Sequence, residues 1–144
     1  MKTTILRSGL TALACAALLG VASPSMAATV NLKADLKAAT EVPPTDSKGS
    51  GSVTATYDTG SKKLSWKGSV SGLSGPATAA HFHAGEPGKN GGVVIPIAGA
   101  DKGSFEGTAT LTDEQAADLM AGKWYVNVHT AANKAGEIRG QVTK

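Results

Sequence analysis

Cysteine is almost absent from this chain, and its absence narrows the possible chemistry. The 144 residues contain a single cysteine, Cys15, in a segment that we expect to be removed. A mature chain without thiols has no disulfide, no thiol nucleophile and no cysteine metal site. Its three histidines, His81, His83 and His129, are then the only nitrogen or sulfur ligands of high metal affinity.

Aromatic residues and long apolar runs are also scarce. Two each of Trp, Tyr and Phe are too few for a broad surface on which nucleic-acid bases stack. No glycine-rich segment ends in Lys-Ser or Lys-Thr, which excludes a phosphate-binding loop of that type. The longest apolar run, residues 10–21, is interrupted by Thr11 and is too short to span a bilayer. We therefore expect neither a nucleic-acid partner nor a membrane anchor.

The first 27 residues have the pattern of a cleaved export signal. Lys2 and Arg7 make the start positive, the apolar run follows, and Ser25-Met26-Ala27 matches the small-x-small cleavage rule. Cleavage before Ala28 predicts a periplasmic or secreted protein.

Removing residues 1–27 changes the charge balance as well as the length. The 14 basic residues fall to 12 against 11 acidic ones, so the mature net charge is +1 and gives no reason to expect a nucleic-acid surface. A lipoprotein is the weaker alternative, because Ala12 stands where a lipidation motif before Cys15 requires leucine. The remaining residues, 28–144, form one expected domain, which can bury about two-thirds of its unfolded surface.

Apolar and polar side chains alternate along most of this domain, as in strands with one buried face. The alternation is clearest in four segments, 30–37, 53–58, 64–70 and 105–111. Glycine and proline clusters separate the segments and predict turns. We therefore expect an all-β fold, an antiparallel Greek-key β-sandwich or barrel of about seven to nine strands.

One segment carries a helix start signal instead. Thr112 and Gln115 form a capping box, and Asp113 and Glu114 favour the first turn. Gly122 can close the other end. The pattern predicts one short helix, over about residues 113–121, that crosses between two strands.

The alternation also assigns a side to each histidine. In residues 79–84, His81 and His83 share one face and Phe82 takes the other. In residues 124–130 the apolar Trp124, Val126 and Val128 alternate and are expected to face the core, so His129 points outward. Each strand takes its register from its own apolar residues, so these are separate inferences. All three histidines are expected on the solvent side.

Arg139 is expected on the same side. Ile138 and Val142 point inward, so Arg139 points outward together with Glu137 and Gln141. A surface ion pair is the simpler role for this arginine. The alternative is an anion guide beside a metal.

The histidine spacing predicts a three-nitrogen metal site. Residues two apart on a strand lie about 6–7 Å from each other at the backbone, and a third imidazole from an adjacent strand can complete the set. Imidazole suits copper, zinc, nickel and iron, with copper at the top of the divalent series. Three nitrogens with an open position also fit a catalytic zinc. Surface histidines without a metal are the plain alternative.

Two further features are ambiguous at this level. The segment 85–92 follows the histidine pair and is either an ordinary loop or a lip over the metal site. Glu41 is a candidate acid, but no second carboxylate is visibly paired with it.

Five ordered segments together resemble the bacterial chordin-type (CHRD) domain over about residues 30–142. They are Glu41-Val42-Pro43-Pro44, His81-Phe82-His83-Ala84-Gly85, Leu111-Thr112-Asp113-Glu114-Gln115, Tyr125-Val126-Asn127-Val128-His129-Thr130 and Gly136-Glu137-Ile138-Arg139-Gly140-Gln141. The resemblance implies a domain and not an activity. The animal namesake, an extracellular protein that binds growth factors, makes a structural or protein-interaction module one functional hypothesis.

The order of His81, His83, His129 and Arg139 is also similar to that of the copper ligands and guiding arginine of copper–zinc superoxide dismutases. This chain has no further histidine for the metal-bridging position, and the resemblance therefore implies a copper-only site with no zinc site. It implies superoxide as a small anionic substrate and Arg139 as the catalytic guide. A copper buffer or delivery protein, with a copper donor or acceptor as partner, is the alternative without turnover.

Overall fold

The computed structural model describes residues 26–144. The expected signal, apart from Met26 and Ala27, lies outside the described residues, as does Cys15. The strands are β1 (Thr29–Lys37), β2 (Ser50–Asp58), β3 (Lys63–Ser71), β4 (Ala77–Ala84), β5 (Val93–Pro96), β6 (Ser104–Thr110), β7 (Trp124–Thr130) and β8 (Ile138–Gln141). The described part of the chain also contains the helix α1 (Asp113–Met120) and two short 3-10 turns, Ala38–Thr40 and Ala100–Lys102.

The eight strands form one antiparallel, nearly closed sheet, which confirms the all-β prediction. Their order is β5-β4-β7-β8-β1-β2-β3-β6, so β3 and β4 are consecutive in the chain but distant in the sheet. The gap in the barrel lies between β5 and β6. The turn Ala100–Lys102 contacts both β4 and β6 and covers part of this gap.

The strand registers follow the alternation in the sequence. Val30 lies opposite Tyr57 and Leu32 opposite Ala55, so apolar residues of β1 face apolar residues of β2. Inside the barrel Phe82 packs edge-on against Trp66, with ring centroids 5.2 Å apart. This apolar interior occupies one face of β4 and leaves its other face for polar residues.

Helix α1 confirms the capping prediction. The Thr112 amide donates to the Gln115 side chain at 3.0 Å, and the Gln115 amide donates to the Thr112 hydroxyl at 3.2 Å. The helix carries the chain from the edge strand β6 to the interior strand β7, and Leu119 anchors it to the core.

In residues 26–144 no helix is both long enough and apolar enough to cross a membrane.

Candidate metal centre

The three histidines come together on the outside of two paired strands. His81 and His83 lie on β4, His129 lies on β7, and the antiparallel register sets Ala79 opposite His129 and His81 opposite Asn127. The ring centroid of His81 is 5.4 Å from that of His83 and 5.0 Å from that of His129. One ring nitrogen from each residue lies within 4.8 Å of the other two. The predicted histidine cluster is therefore present.

Backbone carbonyls fix the tautomers of two of these imidazoles. His129 Nδ1 lies 2.9 Å from the Lys134 carbonyl oxygen, and His83 Nδ1 lies 2.9 Å from that of Gly91. A carbonyl only accepts, so each Nδ1 carries the proton and each Nε2 keeps a free lone pair. Metal-binding histidines are commonly oriented by this kind of contact.

The three imidazoles converge. His129 Nε2 lies 3.2 Å from His81 Nδ1, and since His129 Nε2 accepts, the His81 Nδ1–H donates this hydrogen bond, which a metal ion at the site would replace. His83 Nε2 is buried and has no hydrogen-bond partner among the described residues. Two nitrogens on opposite sides of one ion, each bonded at about 2.0 Å, are about 4 Å apart. The nitrogens here lie within 4.8 Å of one another, so the widest spacing exceeds that value by less than about 1 Å. The donor set therefore fits one imidazole-seeking ion such as copper, zinc, nickel or iron.

The local electrostatics favour neutral imidazoles. Burial lowers the pKa of His81, and the neighbouring His129 and His83 lower it further. Burial also lowers the pKa of His83, against the opposing effect of its hydrogen bond to Gly91. Metal ligation requires the deprotonated ring, so both shifts favour binding.

The predicted side of these residues is correct, but the predicted exposure is wrong for three of them. His81 and His129 are half-buried, whereas His83 is 8% exposed, Arg139 2% and Glu137 0%. Alternation along a strand tells which face a side chain occupies, but it does not show what chain segments cover that face. Here loops from distant parts of the sequence cover it.

The glycine-rich segment 85–92 is one of these covers, and it forms a wall of the histidine cluster. The Gly91 amide donates to the Tyr125 hydroxyl at 3.0 Å, while the Gly91 carbonyl faces His83. A Cβ at Gly91 would collide with the backbone carbonyl of Ala84, so only glycine fits there. Of the two interpretations of this segment, a lip beside the histidines fits its position better than an ordinary surface loop.

Arg139 supports the same loop. Its Nη1 donates to Asn90 Oδ1 at 3.0 Å, and its Nη2 donates to the carbonyls of Lys89 at 2.6 Å and Glu86 at 3.3 Å. The guanidinium lies 3.5 Å from the ring centroid of Tyr125. Tyr125 in turn stacks on His83, with centroids 4.8 Å apart and planes 7° apart.

Glu137 organises the other wall, a role that the alternation pattern did not predict. Its carboxylate accepts hydrogen bonds from Ser47 at 2.5 Å, from the Ser74 hydroxyl at 2.6 Å, from Thr130, and from Asn133 at 3.2 Å. Burial opposes its ionisation, but these bonds outweigh burial and lower the pKa of Glu137 to about 2. The Thr130 and Asn133 contacts hold the loop that supplies the Lys134 carbonyl to His129. The only sequence signal for this role is the density of hydroxyl residues in segments far apart in the chain.

Glu41 is a buried carboxyl that lies close to Asn127, on the same outer side of the strands as the histidines. Burial raises its pKa, although the Val42 amide, the Arg139 charge and the Asn127 amide act in the opposite direction. Its Oε1 has no hydrogen-bond partner within the described part of the chain. Gly136, at φ 136°, packs directly against this carboxyl and the Asn127 amide, leaving no room for a side chain.

Fold and site together define a small antiparallel β-barrel protein with a candidate three-histidine metal centre on its outer wall. Residues 32–142 match the CHRD domain family, and the chain belongs to that family. The family resemblance stated from the sequence is thereby confirmed. No curated protein and no solved structure gives a significant match to the chain.

Proposed function

We propose that this protein is an exported copper-binding protein whose three histidines hold one copper ion. The carrying observation is the convergence of three imidazole nitrogens, two of them on rings whose tautomer a backbone carbonyl sets. Ordinary surface histidines need no such orientation. The all-nitrogen donor set and the place of copper at the head of the divalent series favour copper over zinc.

A superoxide dismutase-like activity is the second candidate. Bound copper would supply one-electron redox chemistry. The partial exposure of His81 and His129 leaves one side of the cluster open to a small anion. The positive charge of Arg139 is separated from His83 by the Tyr125 ring alone, and at that distance it raises the local potential for an anion. Without turnover the same site serves copper buffering or delivery to a partner protein.

Metal titration tests the binding proposal. The purified protein is titrated with Cu(II), Cu(I) and Zn(II) beside His129→Ala, with Asn31→Ala, an exposed polar position on β1, as the matched control. We expect one copper per chain, binding weakened at least tenfold in His129→Ala, and no change in Asn31→Ala. Equal affinity in all three proteins would refute the site and would favour the interaction-module hypothesis.

Superoxide removal separates the catalytic candidate from the buffer. Copper-loaded protein is compared with the copper-loaded His129→Ala variant and with a copper–chelator complex that contains no protein. A rate above both controls supports turnover. A rate equal to the controls, together with stoichiometric copper binding, identifies a buffer or delivery protein.

Export is part of the proposal, and the start of the fold supports it. Strand β1 begins at Thr29, and Ala28 is tied to Thr59 by two backbone-anchored hydrogen bonds of 2.9 Å. Cleavage before Ala28 would therefore leave the barrel intact. Mass spectrometry of protein recovered from the periplasm or medium should give a mature chain starting at Ala28. An intracellular chain that retains residues 1–27 would contradict export.

A further inference from the structure

Segment 85–92 connects Arg139 to the metal centre by a continuous chain of contacts. The loop contributes one atom to the histidines, the Gly91 carbonyl that accepts from His83 Nδ1. Nothing within Gly91 itself keeps that carbonyl in place, because glycine restricts the backbone least of all residues. The position of the carbonyl must come from the contacts that hold the rest of the loop.

Arg139, on β8, supplies three of those contacts. Its terminal nitrogens donate to the backbone carbonyls of Glu86 and Lys89 and to the side chain of Asn90, immediately before Gly91. Hydrogen bonds from a charged group are about twice as strong as neutral ones, and the planar fork of the guanidinium holds several acceptors at once. The loop is therefore attached to β8 on both sides of the turn at residues 87–88 that leads to Gly91.

A second route runs through Tyr125. The guanidinium lies over one face of the Tyr125 ring, and the His83 imidazole stacks on that ring from the neighbouring strand β4. The Tyr125 hydroxyl contacts both the amide and the carbonyl of Gly91, at 3.0 and 3.3 Å. Arg139, Tyr125 and His83 form a stack whose far end is a ligand of the proposed centre.

The occupied donors of Arg139 argue for an internal role. An arginine that receives an anion presents free donors to solvent, but here both terminal nitrogens point into the loop and the residue is 2% exposed.

We propose that Arg139 is a positioning residue of the metal centre, which keeps the Gly91 carbonyl on His83 Nδ1 and so presents His83 Nε2 to the ion. The metal role of His83 rests on the proposed function, whereas the control of its tautomer by Arg139 does not.

The tautomer of His83 is measurable in the metal-free protein. Long-range ¹H–¹⁵N NMR spectra should show His83 protonated at Nδ1 in the wild type and a mixture of tautomers in Arg139→Gln. Lys89→Gln is the matched control, because it removes one positive charge from the same loop and keeps the backbone carbonyl that Arg139 uses. An unchanged His83 tautomer in Arg139→Gln overturns the proposal.

Copper affinity gives the second readout. Loss of an outer-shell contact typically weakens metal binding 10–100-fold, and we expect a loss of that size in Arg139→Gln. Asn90→Ala keeps the guanidinium and removes one of its acceptors, so positioning predicts a smaller loss in the same direction. An anion guide predicts unchanged affinity in both variants and a slower superoxide reaction in Arg139→Gln alone.

Arg139→Lys separates charge from geometry. Lysine keeps the positive charge but cannot hold three acceptors with one planar fork, so positioning predicts that it fails to restore affinity or tautomer. Full restoration by lysine would overturn the proposal. If Arg139→Gln does not fold, Asn90→Ala and Arg139→Lys still decide between the two outcomes. If the wild type binds no copper, the proposed function fails, and the NMR comparison still tests the control of His83.

Discussion

At the scale of single residues, polar groups on the outer face of the barrel do more than solvate it. Glu137 accepts from side chains of three separate segments, and burial without these partners would make its charge costly. Its lowered pKa means that the folded structure stabilises the ionised carboxylate relative to the protonated acid. Glu137 is thus a structural anchor for loops that reach the histidines.

Replacing Glu137 by glutamine should destabilise the fold and reduce the decrease in the free energy of unfolding as the pH falls. The pKa falls from 4.5 to about 2 on folding, so the stabilisation is complete above about pH 4.5 and is lost as the pH falls through about 2. The shift sets an upper limit of about 3 kcal/mol, and we expect a loss of about 2 kcal/mol at pH 7, because the glutamine amide keeps one acceptor oxygen for the same donors. Urea unfolding followed by tryptophan fluorescence, from pH 7 to pH 2, measures it.

The exposed Glu106 on β6 provides the control. Glu106→Gln should change the free energy of unfolding by less than about 0.5 kcal/mol. A Glu137→Gln variant with the same pH dependence as the wild type would show that the carboxylate contributes no linkage.

At the scale of elements, local signals decide α1, whereas pairing decides the strands. The capping box of Thr112 and Gln115 starts the helix where the sequence predicts it. The helix ends at Met120, one residue before the expected Ala121, because Ala121 takes the C-cap position and Gly122 follows at φ 74°.

Thr112→Ala should therefore lower the free energy of unfolding by about 1 kcal/mol, since it leaves the Gln115 amide without its acceptor. Thr112→Ser is the matched control and should remain close to the wild type because it keeps the hydroxyl. Paired urea unfolding curves measure both. Equal losses in the two variants would point to the methyl group and away from the cap.

At the scale of the whole molecule, the barrel core and the histidine cluster occupy opposite faces of the same strands. Phe82 and Val126 are fully buried inside, while His81 and His129 lie outside. We therefore expect core packing not to depend on a metal. This separation differs from that of small metal-dependent domains, in which the ion holds the chain together.

Removing metal should leave the barrel folded. We expect the near-ultraviolet circular dichroism signal to survive a chelator, because the core contains both tryptophans. Adding copper at about 100 times its dissociation constant should stabilise the protein by about 2.7 kcal/mol, seen as a higher melting temperature. At the same copper concentration His129→Ala should gain at most about 1.4 kcal/mol, because its affinity is at least tenfold lower, and its melting temperature should rise correspondingly less. Loss of the signal on chelation would show that the fold requires the ion.

How far the sequence alone leads can be judged from particular residues. Period-two alternation assigns the face of each histidine and of Arg139 correctly, because neighbouring side chains on a strand point to opposite sides. It also places the helix, because capping is a contact between residues three apart. The family was recognisable from ordered motifs spread over residues 41–141.

The tertiary structure decided which side chains are buried and which groups orient the histidines. The carbonyls that orient His83 and His129 belong to loops, and no periodic pattern reports which way a loop carbonyl faces. Arg139 reaches residues 86–90 across roughly fifty positions of sequence. Glu137 collects donors from segments about sixty and ninety positions away. The sequence by itself determined the strands, the helix and the side on which each histidine stands, since these depend on near neighbours. Only the tertiary structure decided that the histidines meet, through the pairing of β4 with β7, and that loops enclose Arg139 and Glu137, since these depend on contacts between distant segments.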